Sequence, residues 1–281
     1  MKNTTLLTVL GPDSDLAKLG ATIEAARASN THLSFMVATA VSQFSAYHMG
    51  IPPYGTMTVP DGWQAAIAAA NKRLVAKSTQ VKELLRAEGL PGDVKIVGCE
   101  PALLADTIAE RAKLCDRAQI VADLRQNETV FGNALHGLLF ASPVATLLNA
   151  ESRPAPTRIF VAWNTGLPSA RAVQQALPEL KQAKEVTIAT FDPIMMPGLD
   201  GENPGSDVAK WLSHHGCNVS VQQYPSGGLD IGQAILSRAS ELGADLVVAG
   251  AYGHSKLRQS IFGGTSQILI DQTAMPLLLA H

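Results

Sequence analysis

Near the C-terminal end of the sequence, Gly250-Ala251-Tyr252-Gly253 is followed, after nine residues, by Gly263-Gly264-Thr265-Ser266. A short apolar run, Asp245-Leu246-Val247-Val248-Ala249, precedes this stretch, and a helix-compatible run, Ser266-Gln267-Ile268-Leu269-Ile270, follows it. A strand, a glycine-punctuated loop and a helix start form an anion site. Glycine lets the backbone approach a phosphate closely, and the free N–H groups at a helix N-terminus point at it. His254, Lys256 and Arg258 lie inside the spacer, where their charge suits a phosphate. The same residue types also suit a tight turn, close helix–sheet packing and a solvated basic loop, so both readings stay open.

Other chemistry is poorly supported. The sequence has no Ser/His/Asp order, no H-E-x-x-H pair and no paired-carboxylate motif, so at most slow hydrolysis is expected. His254 has no neighbour at zinc-ligand spacing. His214 and His215 are adjacent on a predicted helix and do not share one face. Cys99, Cys115 and Cys217 are dispersed and odd in number, which reads as reduced, buried thiols rather than a disulfide framework.

The bulk composition agrees. Of 281 residues, 46% are hydrophobic, 16% charged and 5% aromatic, which predicts a globular chain with aliphatic cores. A formal charge of −2 without blocks of like charge excludes a dedicated nucleic-acid or anionic-membrane binder. Thr5 to Leu10 meets Gly11-Pro12-Asp13 at once, so it reads as a first strand rather than a signal peptide. No apolar run approaches the roughly 20 residues of a membrane span. A cytoplasmic protein is expected.

The elements that must position the glycine loop alternate along the chain. In the second half, strands are predicted at 158–163, 186–190, 218–222, 245–250 and 276–280. Helices are predicted at 169–177, 206–215, 231–242 and 265–273, with Ser169 as N-cap of the first. In the first half, strands at 5–10, 32–39, 93–97 and 119–124 alternate with helices at 15–28, 62–88 and 102–113. Asp13 and Asp15 read as helix-capping residues. Alternation of this kind predicts mostly parallel sheets with right-handed crossovers. Ala118 to Leu124 stands where Ala244 to Gly250 stands, which suggests a tandem duplication joined near 149–157 through Arg153-Pro154-Ala155-Pro156. The end of the first half has two registers. In the preferred one, Ser142-Pro143 opens a helix and the closing strand is nearly deleted; in the other, Pro143 to Leu148 is that strand. Segment 42–62, with Tyr47, His48, Pro52, Pro53, Tyr54 and Met57, is read as a lid, a dimer contact or a plain surface loop.

Together these residues resemble a tandem universal stress protein. The spacing of Gly250, Gly253 and Gly263 is similar to the family's G-2x-G-9x-G-(Ser/Thr) motif, and the preceding strand and following helix, proline and apolar strand match its context. The resemblance covers essentially the whole chain, with the motif in the second half only. It implies an α/β fold of two tandem doubly wound, Rossmann-like domains, 1–152 and 157–281. Each is a mostly parallel five-stranded sheet with helices on both faces, and together they form a pseudo-dimer. The chain is then either complete as a monomer or pairs again through Pro276 to Ala280.

The resemblance also implies that ATP or another adenine nucleotide binds in the second half, with or without Mg2+. The phosphates fall to Gly250, Gly253, His254, Gly263, Gly264, Thr265 and Ser266. The rest of the nucleotide borders Ala162, Trp163, Asn164, Thr165, Ala189 and Thr190. Trp163 suits the core better than an adenine platform. The chain departs from the pattern at Gly264, where the family has Ser or Thr, and at Asn164, where it often has Asp. In the first half Leu124 and Asn127 replace the first two glycines, so no nucleotide is expected there. The function implied is stress sensing or signalling through unknown protein partners. A nucleotide-free scaffold and a small-molecule enzyme are the alternatives.

Overall fold

The computed structural model describes residues 4–41, 62–196, 201–251 and 264–281. In the first half these form β1 (Thr5–Leu10), α1 (Gly20–Ser29), β2 (His32–Ala40), α2 (Trp63–Glu88), β3 (Gly92–Cys99), α3 (Pro101–Ala112), β4 (Arg117–Ile120), α4 (Glu128–Phe140) and β5 (Thr146–Leu148). The second half has β6 (Arg158–Ala162), α5 (Leu167–Gln175), α6 (Leu177–Gln182), β7 (Glu185–Phe191), α7 (Ser206–His214), β8 (Val219–Tyr224), α8 (Ile231–Glu241), β9 (Leu246–Gly250), α9 (Gly264–Asp271) and β10 (Leu277–Ala280).

The strands form one ten-stranded sheet, ordered β3-β2-β1-β4-β5-β10-β9-β6-β7-β8. Read outward from the centre, the two halves have the same order. Every pairing within a half is parallel; only β5 and β10 run antiparallel. In that central pair Leu147 faces Leu278, Leu148 faces Leu277 and Thr146 faces Leu279, a register symmetric about Leu147 and Leu278. The halves are therefore related as in a two-fold dimer. Both edges of β10 are occupied, by β5 and β9, so the strand expected to pair two copies of the chain is already used.

The cores follow from the apolar runs. On one face of the second-half sheet, Ile159, Val161, Val186, Ile188, Val248 and Leu278 pack with Ala172 and Val173 of α5, Leu180 of α6 and Leu212 of α7. On the other face Phe160, Ala162, Ala189, Val247 and Leu277 join Ile235 of α8 and Leu269 and Ile270 of α9. That second cluster continues across the centre into the first half.

Three expectations are corrected. The preferred helix at Ser142-Pro143 does not form. The helix lies upstream at α4, where the Asn127 side chain accepts from Val130 N at 3.1 Å. Val130, Ala134, Leu135 and Leu138 give α4 a buried stripe. Ser142 donates back to Leu138 O at 2.7 Å and ends that helix, leaving Thr146–Leu148 to fill the slot between β4 and β10.

The first-half counterpart of β9 is also shorter than predicted. It stops at Ile120 and passes into a 3-10 turn over Ala122–Gln126. Its register shifts by three: Asp116 N donates to Thr5 O, as Asp245 N does to Arg158 O. Asp116 and Asp245 are thus equivalent, and Val121 and Leu124, not Leu124 and Asn127, stand where Gly250 and Gly253 stand.

Finally, Ser169 is not an N-cap. The α5 cap is Gly166, with Pro168 in the first turn, and Ser169 is buried inside the helix. The segment expected to be a stiff linker is anchored at its start. Glu151 is buried and accepts from Ala122 N through its carboxylate and from Thr22 N through its carbonyl.

Candidate functional site

In each half the chain reverses its winding direction between the first and fourth strands, β1/β4 and β6/β9. Ligands of open α/β sheets sit at such switch points, beyond the carboxyl ends of the strands.

In the second half, Ala162 ends β6 level with Ala189 of β7 and Ala249 of β9. Trp163 extends the ladder by one bond, its N–H donating to Ala189 O at 2.8 Å. The predicted residues Ala162, Trp163, Ala189 and Gly250 are therefore gathered at one sheet end. Trp163 packs its ring against the aliphatic core below α5 to α7, as expected of a core residue. Asn164 and Thr165 are exposed. The Asn164 Oδ1 accepts from Gly166 N at 3.0 Å and its own N–H reaches Ser169 Oγ at 3.4 Å, so this amide shapes the turn into α5. Thr190 is buried, and its Oγ1 has no hydrogen-bond partner among the described residues. A buried hydroxyl left unpaired costs about 1–3 kcal/mol. Asp192, just past β7, accepts from Ser226 N at 3.0 Å and holds the β7 and β8 ends together; hydrogen bonds from Ser226 lower its pKa.

Gly250 has a role that is visible without any ligand. A Cβ there would lie 2.4 Å from Ser169 N and 2.7 Å from the Pro168 carbonyl carbon, so only glycine lets the start of α5 sit this close to β9. Gly264, the first residue of α9, has none of the described residues within 4 Å of where its Cβ would be. Thr265 is half-buried and Ser266 buried on the same first turn. Gly253, His254 and Gly263, with Lys256 and Arg258, lie outside the described residues, as does nearly all of the 42–62 segment.

The first half builds its switch point differently. Leu124, at the place of Gly253, is buried, with Cδ1 3.1 Å from where a Gly11 Cβ would be. Asn127 caps α4 with its own side chain, and Glu128 adds an acid to the first turn. Asp123 accepts from Ser14 Oγ at 2.7 Å and Asp15 N at 2.8 Å, and Arg73 of α2 pairs with Asp13. Asp15 accepts from Ala17 N as the cap of a short 3-10 turn, in line with expectation. A cavity of about 510 Å3 remains there, bordered by Asp13, Arg73, Asp123 and Glu128. Sequence reading missed this network because its members are scattered along the chain, with no local spacing to mark them. One N–H of its helix N-terminus is already capped by Asn127, and its walls carry more acids than bases. Both features disfavour an anion.

His214 is exposed, and the His215 ring stacks 4.2 Å from Trp211 while its Nδ1 donates to Trp211 O; neither gathers ligands. No group of three metal-binding side chains occurs among the described residues. No described helix is long and apolar enough to cross a membrane.

A continuous sheet of two doubly wound halves joined by their last strands defines the class, and the fold is that of the tandem universal stress proteins. A universal stress protein from Archaeoglobus fulgidus DSM 4304 matches over 98% of this chain and 95% of its own, with a TM-score of 0.66 and 15% identity. A candidate universal stress protein from Pseudomonas aeruginosa UCBPP-PA14 matches over 99% and 93%, with a TM-score of 0.57 and 17% identity. A functionally unknown protein from Pseudomonas aeruginosa PAO1 matches over 99% and 92%, with a TM-score of 0.57 and 16% identity. No protein-family model matches the sequence. No curated protein matches it either.

Proposed function

We propose that the chain is a stress-response protein that binds ATP, or another adenine nucleotide, in its C-terminal half and acts as a cytoplasmic sensor or signalling module. Residues 157–281 form the binding unit in this reading, and residues 1–152 its degenerate copy. The observation that carries it is the placement of the glycine stretch. It leaves β9 at Gly250 and enters α9 at Gly264, at the switch point with β6. The phosphates would lie against the backbone N–H groups of Gly253, Gly263 and Gly264, with the Thr265 and Ser266 hydroxyls as donors and His254 adding charge. Thr190, whose hydroxyl has no partner among the described residues, and the exposed Asn164 and Thr165 would border the remaining space. Mg2+ would arrive with the phosphates. The sequence carries no recognisable hydrolytic motif, so in this reading turnover is slow or absent.

A second reading, a nucleotide-free scaffold that recruits partners, is favoured by two specific observations. The Asn164 carboxamide oxygen is engaged by its own turn, and Gly250 is required by the packing of α5.

ATP release from heat-denatured, freshly purified protein separates the readings, together with melting in ATP-Mg2+. A ligand at a hundred times its Kd stabilises by about 2.7 kcal/mol, a Tm rise of roughly 5–10 °C for a chain of this size. Gly253→Val should abolish that rise and leave the ligand-free Tm unchanged. No co-purified nucleotide and no rise would favour the scaffold.

A further inference from the structure

Gly232 is the second residue of α8 and is buried. Glycine is the poorest helix former after proline, and alanine the best, so a glycine here calls for a packing reason. The neighbouring helix supplies one. A Cβ on Gly232 would lie 2.8 Å from Ile268 Cβ, 2.9 Å from Ile268 Cγ2 and 3.0 Å from the Thr265 carbonyl oxygen. Only the missing side chain lets the start of α8 sit this close to the first two turns of α9.

The atoms met cannot swing aside. Ile268 Cβ is fixed by the helix backbone, its branched side chain is stiff about χ1, and the Thr265 oxygen is main chain. Relief of an added methyl has to come from α9 itself, by about 1 Å, because carbons attract only at about 3.5 Å or more.

The other end of α9 is pinned. Gln272, the residue after the helix, accepts from Asn149 Nδ2 at 3.0 Å through its carbonyl, and the same Nδ2 donates to Met275 O at 3.2 Å. Arg125 holds the Asn149 Oδ1 at 3.3 Å. Asn149 and Arg125 belong to the first half. Leu269 and Ile270, near that end, are buried in the core cluster that the two halves share. A push at Gly232 therefore becomes a tilt of α9 about Gln272, with the largest displacement at Gly264, Thr265 and Ser266. The first half fixes where α9 ends, and Gly232 fixes where it starts.

We infer that Gly232 is a positioning residue for phosphate in the C-terminal half, setting the approach of α9 to the ligand from outside the glycine motif. This rests on the nucleotide reading of that half. Hydrogen bonds to phosphate are short, about 2.7–2.9 Å, so a helix start displaced by about 1 Å loses them.

The test is calorimetric titration of the full chain with ATP-Mg2+ and with adenosine, which lacks phosphate. Gly232→Ala should weaken ATP by about tenfold, as loss of one hydrogen bond to a charged group requires, and leave adenosine unchanged. Gly232→Ala/Ile268→Ala, which removes Cγ2 from the contact, should restore part of the ATP affinity. Gly92→Ala controls for stability alone. Its Cβ would lie 2.6 Å from the Leu33 carbonyl oxygen, at the outer strand of the first half, so it should lower the ligand-free Tm and keep ATP affinity. Unchanged ATP affinity in Gly232→Ala, or an equal loss for ATP and adenosine, overturns the inference and leaves the nucleotide reading standing. Absence of ATP binding by the parent protein overturns both.

Discussion

Gly250→Ala separates the packing role of the glycine motif from its ligand role. The new Cβ would sit 2.4 Å from Ser169 N and 2.7 Å from the Pro168 carbonyl carbon. Carbon contacts are favourable near 3.5–4.0 Å, so the first turn of α5 must retreat by about 1 Å. The atoms met are backbone, held by the buried Pro168, Ser169, Ala172 and Val173 of the same helix, so no rotamer change relieves the clash. Overpacking of this kind costs about 1–3 kcal/mol, and the upper half of that range is expected here. For a chain of this size the Tm falls by roughly 4–10 °C. Gly264→Ala is the control: its Cβ would meet none of the described residues, and alanine inside a helix is no worse than glycine. Scanning calorimetry without ligand reads both variants. A Gly250→Ala Tm equal to that of the parent protein would refute the close docking of α5 and return Gly250 to a purely ligand-directed role.

Two further perturbations test the frame around the site. Arg117 of β4 pairs with Glu179 of α6 across the junction and donates to Gln175 O at 2.5 Å, with side-chain exposures of only 13% and 26% for the pair. Arg117→Met should cost about 2–3 kcal/mol in urea unfolding, below the figure for a fully buried broken pair, and Arg117→Met/Glu179→Leu should recover much of that loss. A single variant with an unchanged midpoint would mean that the pair does not join the halves. Asp93 of β3 accepts from His32 at 2.9 Å and from Arg111 at 2.6 Å. Burial raises its pKa, but the hydrogen bond from His32 and the charge and hydrogen bonds of Arg111 together outweigh it, so the folded-state pKa lies below its ordinary value. Its contribution is present above the unfolded carboxylate pKa, about 3.9, and is lost as pH falls through the folded value. Urea midpoints of the parent protein and Asp93→Asn should therefore converge below about pH 4, and a gap independent of pH would contradict the assignment.

The strands were legible wherever apolar runs were bounded by glycine or a capping residue. Leu246–Gly250 and Leu277–Ala280 are examples, their ends marked by Gly250 and Pro276. Thr146–Leu148 was hidden for a physical reason. A strand of three residues is specified by its neighbours, here β4 and β10, and β10 lies at the other end of the sequence. Its proline-led context also fits the start of a helix. The three-residue slip between the halves has the same origin: Asp116 and Asp245 fix the equivalence through hydrogen bonds to β1 and to the start of β6, not through residue similarity along the chain. At the candidate site, the sequence located the strand ends correctly because parallel sheets align them. Side-chain commitments, such as Asn164 to Gly166 N or Arg73 to Asp13, depend on turns and on a helix that sequence spacing does not reveal.

The two switch points of the sheet are built differently. A helix N-terminus leaves backbone donors that a side chain, water or a ligand must meet. In the first half a side chain meets one of them. Asn127 caps α4, the buried Leu124 packs close to Gly11, and Asp123 and Asp13 are tied to Ser14, Asp15 and Arg73. The Asp123 contacts fix the loop between β4 and α4 to the loop after β1. The second half runs from Gly250 to Gly264 with a chain rich in glycine and basic residues, and the buried Thr190 hydroxyl at the end of β7 has no partner among the described residues. A duplicated chain needs only one crevice for a ligand. The other can be converted into internal contacts, as Ser14, Asp123 and Asn127 show in the first half.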